Sequence, residues 1–144
     1  MIPDSVNSVG PWAFSECRDL KTITLSKNLE SISGSAFHYC DVLTQIQVEE
    51  GSKHLKVVDG VLFSADGTTL IRVPSDLSGT YRVPDGVTAI DSYAFEGSDV
   101  SEVILPDGVT VLNSYAFAGC TELTNVVLPD TVTSLETEVF KDCT

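Results

Sequence analysis

Apolar residues recur along this chain in two alternating signatures. The first is an apolar-x-x-apolar-x-apolar run, at Leu20-Ile23-Leu25, Leu43-Ile46-Val48, Val100-Val103-Leu105 and Leu123-Val126-Leu128. Its alternating part has period two. Ile23 and Leu25 therefore share one face of a strand, and Thr22, Thr24 and Ser26 the other. The second signature is an apolar pair three apart: Val6-Val9, Leu29-Ile32, Val87-Ile90, Val109-Leu112 and Val132-Leu135. Turn residues separate the two, as at Pro84-Asp85-Gly86, Pro106-Asp107-Gly108 and Pro129-Asp130-Thr131. Proline ends a strand ladder there and glycine accepts a positive φ.

After each pair comes a small-residue–Phe doublet: Ala13-Phe14, Ala36-Phe37, Ala94-Phe95, Ala116-Phe117 and Val139-Phe140, at steps of 23, 58, 22 and 23 residues. Three positions beyond each Phe stands Cys17, Cys40, Ser98, Cys120 or Cys143. A strand with one apolar face cannot stand alone, but copies stacked in register bury a continuous core. The pattern predicts a repeat solenoid across residues 1–144, mostly β, with one short parallel strand per repeat. Short turns or single helical turns close each repeat on the back. The chain opens at Ile2 in mid-repeat, so it reads as a piece of a longer array.

The 58-residue step marks an atypical unit over residues 49–78. Asp59-Gly60 and Asp66-Gly67 are turn dipeptides flanked by Val57, Val58, Val61, Leu62 and Phe63. Ile71-Val73 and Tyr81-Val83, each followed by proline, resemble the first signature again. The expectation is a hairpin-like excursion that replaces one back turn while its strands stay in the same sheet.

Charge narrows the partners. A formal net charge of −13 removes the clustered basic surface that nucleic acid requires. It equally disfavours adsorption to an anionic membrane, and no run of about 20 apolar residues could span one.

Candidate chemistry is sparse. The cysteines lack the close pairs of a zinc site, and neighbours recur at the same repeat position. Side chains stacked about 4.8 Å apart exceed the Cβ separation of a disulfide. They read as buried free thiols, small apolar filler. His38 and His54 read as turn or solvated histidines, and Trp12 as a repeat aromatic equivalent to Tyr93 and Tyr115. No nucleophile–base motif, phosphate loop or complete calcium loop is present, so no catalytic residue, metal site or cofactor is expected.

What remains is the outward face of the sheet. Alternate positions place Gln45, Gln47, Arg72, Arg82, Glu102, Ile104, Asn125 and Val127 on it. Exposed β-branched residues there can simply satisfy strand propensity. The functional reading is a shallow docking strip for a protein, or for a glycan, with Arg72 and Arg82 as anchors because arginine is enriched at interface hot spots.

The unit strand–Pro-Asp-x-Val-x-x-Ile–x-x-x-Ala-Phe-x-x-Cys resembles the BspA-like leucine-rich repeats of bacterial and protist surface proteins. The match covers residues 1–48 and 79–144, and VVDGVLFSADGTTLIRVP looks like a variant unit of such arrays. The resemblance implies a right-handed coil, an extracellular or cell-surface location, and adhesion to host or extracellular-matrix proteins. A structural spacer, or an accessory repeat region of a larger secreted enzyme, is the alternative. No site transfers residue by residue, because the shared positions are the structural ones.

Overall fold

The alternating signature becomes the strand that opens each coil, and the apolar pair three apart becomes a second, shorter strand. A computed structural model describes residues 1–144. In chain order its strands are β1 (Ser8–Val9), β2 (Thr22–Leu25), β3 (Ser31–Ile32), β4 (Gln45–Val48), β5 (Leu55–Val58), β6 (Val61–Ser64) and β7 (Thr69–Arg72). They continue as β8 (Ser78–Arg82), β9 (Ala89–Ile90), β10 (Asp99–Ile104), β11 (Val111–Leu112), β12 (Asn125–Val127) and β13 (Ser134–Leu135). Ordinary coils thus carry two short parallel strands, one more than the pattern predicted.

One wall of the solenoid consists of β2 paired with β4, then β8, β10 and β12 in a row, all parallel. The register sets like on like: Ile23 beside Ile46, and Val103 beside Val126. The opposite wall has β1 against β3, and then β5, β6, β7, β9, β11 and β13. Between β4 and β8 the first wall is interrupted.

The atypical stretch accounts for that interruption. Asp59 and Gly60 both take positive φ, 50° and 82°, which a two-residue hairpin turn requires, and β5 pairs antiparallel with β6. β6 then pairs antiparallel with β7. β7 does not join the wall holding β8, as the Ile71-Val73 match suggested. It joins the opposite wall, with Thr69 beside Ala89 and Leu70 beside Ile90. The buried apolar residues form two clusters on either side of this meander. Val61, Phe63 and Leu70 face one, while Leu62 and Ile71 face the other. The β6–β7 pair is a septum between two cores, which is why Val61-Leu62-Phe63 and Leu70-Ile71 are consecutive buried apolar residues rather than alternating ones.

On the back of the coil, each turn is stapled to the next by main-chain bonds. Phe14 N–H donates to Ala36 O, Phe95 to Ala116 O and Phe117 to Val139 O, each at 2.8–2.9 Å. The phenyl rings stack along the axis, with centroids 5.9 Å apart for Phe14 and Phe37, 4.7 Å for Phe95 and Phe117, and 5.4 Å for Phe117 and Phe140. Those spacings lie in the favourable offset-stacked range. Holding this ladder forces Trp12, Tyr93 and Tyr115 into left-handed backbone, at φ 66°, 60° and 61°. Bulky side chains adopt that conformation only under constraint.

The cysteines follow the ladder but are more than filler. The Sγ–H of Cys40 donates to Phe14 O, that of Cys120 to Phe95 O and that of Cys143 to Phe117 O, at 3.0–3.1 Å. Each thiol thus caps the phenylalanine carbonyl of the coil before it. Cys17 makes no such bond and is exposed, so the four cysteines are not equivalent core rungs. Burial pushes the Cys40 thiol up to about 11 and the Cys120 thiol up to about 12. At pH 8 the native protein should therefore react with a thiol-specific disulfide reagent fastest at Cys17, with Cys40 and Cys120 silent. Denaturation without reductant should release all four. Rapid labelling of Cys120 in the native state would place its coil outside the ladder.

Candidate binding surface and the seam behind it

The outward side chains of the first wall form two hydrogen-bonded rows. Thr22 Oγ1 donates to Gln45 Oε1 at 3.1 Å and Thr24 Oγ1 to Gln47 Oε1 at 3.3 Å. In the second half, Thr80 Oγ1 donates to Glu102 Oε2 at 3.1 Å and Asn125 Nδ2 to Glu102 Oε1 at 2.8 Å. Parallel register makes these rows, because residues one repeat apart lie directly opposite. Gln45, Gln47, Arg82, Asn125 and Val127 are exposed, and Glu102 and Ile104 are partly so. The structure therefore gathers seven of the eight expected residues on one wall, in two patches separated by the break between β4 and β8.

Arg72 is the exception. It lies 1% exposed on β7, a strand packed between two cores that has no outward face. Its Nη1 donates to Tyr93 O at 2.6 Å and approaches Glu96 Oε2 at 3.4 Å, and Nη2 donates to Glu96 O at 3.3 Å. Burial pulls its pKa down and the Glu96 carboxylate pushes the other way.

The role of this arginine follows from the coil that is missing. In ordinary coils Glu16 N–H donates to His38 O, Gly97 N–H to Ala118 O and Gly119 N–H to Lys141 O. The third coil has no back turn to continue that ladder. Val73 N–H donates to Ala94 O, taking the place of a phenylalanine N–H, and Arg72 Nη2 supplies the donor that Glu96 O would otherwise lack. From the other half, Tyr39 N–H finds the Glu96 carboxylate at 3.3 Å and Gly34 N–H finds Asp91 Oδ2 at 2.9 Å. Side chains have replaced a turn of backbone. Gly34 is required here, since a Cβ would lie 2.3 Å from Ser92 O and 2.5 Å from Ile71 O.

His38 completes the seam, donating Nδ1–H to Glu96 Oε1 at 2.6 Å. It is half-buried among Trp12, Tyr39 and Tyr93, with ring centroids 4.9, 3.9 and 4.6 Å away. His38 is thus a turn histidine, as expected, but a partly buried one bonded across the seam; His54 is exposed. Two signals could have revealed the seam: the 58-residue step itself, and an arginine inside the apolar run Leu70-Ile71-Arg72-Val73.

Comparison with known proteins places the repeat. The model of the BspA type leucine rich repeat region matches six copies over residues 1–81 and 78–144. A leucine rich cell surface protein of Faecalibacterium prausnitzii is 30% identical, with 98% of this chain covered and a TM-score of 0.87. The pneumococcal vaccine antigen PcpA is 32% identical over 78% of the chain, with a TM-score of 0.70. A leucine-rich repeat protein of Bacteroides ovatus is 28% identical over 94% of the chain, with a TM-score of 0.52. The chain covers 38%, 28% and 32% of these three proteins, respectively. No curated protein matches it. No helix is long and apolar enough to cross a membrane.

Proposed function

The chain belongs to the BspA-type leucine-rich repeat family, and from that premise we propose that it is a non-catalytic, protein-binding module of a bacterial surface protein. Adhesion to a host or matrix protein is the corresponding role, and the extracellular face of the cell its location. The supporting observation is the outward wall, where the hydrogen-bonded row of Thr80, Glu102 and Asn125 lies beside exposed Arg82 and Val127 and partly exposed Ile104. The rows hold the polar side chains in place before any partner arrives, which lowers the entropy cost of docking. Arg82 makes no ion pair within the chain, so its guanidinium is available to a partner carboxylate.

Arg82→Glu combined with Val127→Ser should reduce capture of the partner from host-surface extracts by about tenfold, as loss of an anchor residue would. The unfolding midpoint should stay where it is, because both side chains are exposed. Undiminished capture by the folded variant would remove this wall from consideration.

A further inference from the structure

The irregular step that builds the seam also opens a groove on the back of the solenoid, of about 290 Å³. At one repeat position the chain carries Glu16, Tyr39, Gly97, Gly119 and Asp142, all with left-handed backbone. The two glycines sit side by side, with a Cβ built on Gly119 lying 3.8 Å from Gly97 N, so nothing fills the space between Tyr39 and Asp142. Tyr93 and Tyr115 wall the trough, their rings parallel within 8° and 4.9 Å apart. Asp41 and Asp142 border it, and neither makes an ion pair. Glu96, also on its lining, already has its charge answered from behind by Arg72.

We propose that this trough, built on the back turns and apart from the outward wall, binds a single basic side chain, an arginine or lysine of a protein partner. The volume lies at the lower limit of small-ligand pockets, which suits one extended side chain rather than a folded element. An aliphatic stem would lie along Ala118 and the tyrosine edges, with the cation at the free carboxylate of Asp41 or Asp142. Arginine suits it best, because a planar guanidinium can meet a carboxylate through two parallel bonds and rest against an aromatic ring. The chain itself uses the same chemistry nearby, through Lys141 on the trough's lining and Arg18 beside Tyr39. Arg18 lies 6.0 Å from the Tyr39 ring centroid, and Lys141 lies 5.6 Å from that of Tyr115. The net charge of −13 favours approach of a basic partner.

Trp12 is the only tryptophan and stands edge-on to His38 and Tyr93, which makes its fluorescence a local reporter. N-acetyl-arginine amide should change that fluorescence saturably. The citrulline analogue, of the same shape without the charge, should bind at least about tenfold more weakly. Asp41→Asn with Asp142→Asn should weaken the arginine probe by about tenfold, whereas Asp85→Asn with Asp107→Asn, equal in charge but exposed in the Pro-Asp-Gly turns and absent from the trough's lining, should leave it unchanged. Equal binding of the citrulline analogue overturns the proposal. So does equal weakening by the turn pair, which would reduce the effect to net charge alone.

Discussion

Arg72→Ala is expected to lower the free energy of unfolding by about 3–5 kcal/mol, the range for breaking a buried ion pair from one side. The loss has three sources in the structure. Glu96, 8% exposed, would keep a carboxylate without its counter-charge. The carbonyl of Glu96 would lose its donor from the neighbouring coil, and that of Tyr93 its guanidinium contact. Because Arg72 anchors Glu96, whose carboxylate takes bonds from His38 and Tyr39 of the first half, the chemical denaturation curve should also broaden, as nearest-neighbour coupling between repeats weakens. Arg72→Lys should recover only part of the loss, since one ammonium cannot reach both carbonyls in the geometry of the planar fork. Adding Glu96→Gln to Arg72→Ala should recover part by removing the stranded charge. Arg82→Ala, in the exposed row, should shift stability by no more than about 0.5 kcal/mol. Equal small effects at both positions would mean that Arg72 faces solvent and that β7 belongs to the other wall.

Phe95→Ala should cost about 3–5 kcal/mol, as truncation of a fully buried phenylalanine does. Its ring is completely enclosed, stacked on Phe117 at 4.7 Å and close to Tyr81 at 6.0 Å. The cavity would open in the middle of the larger core, where the coils on both sides are fixed by main-chain bonds and cannot collapse into it. Phe140 has the same repeat position but a different context. It is 37% exposed and stacks on one neighbour only, so Phe140→Ala should cost a fraction of the Phe95 value. Equal costs at the two sites, read from denaturant midpoints, would show that the ladder is not one continuous core element.

Much of this architecture was legible in the residues. The doublets at Phe14, Phe37, Phe95, Phe117 and Phe140 set the coil register, and the ring stacking follows it directly. The outward positions of Gln45, Gln47, Arg82, Glu102, Ile104, Asn125 and Val127 followed from period two alone. Arg72 did not, because Arg72-Val73-Pro74 repeats Arg82-Val83-Pro84 letter for letter, each after an apolar or aromatic residue. A local match cannot say which wall a strand joins. His38 escaped for a similar reason: its partner Glu96 lies 58 residues away, and nothing near His38 announces a carboxylate.

By itself the sequence determined the repeat, the inward faces and the phenylalanine and cysteine ladders, because those depend on side-chain periodicity within one coil and between adjacent coils. Only the tertiary structure decided what happens where the repeat fails. There β6 and β7 are buried on both faces, Arg72 and Glu96 replace a missing backbone turn, and two glycines leave a trough beside the seam. The physical reason is that backbone donors and acceptors in an interior must all find partners. When a coil omits its back turn, whichever side chains lie within reach complete the ladder, and reach is a property of the folded chain.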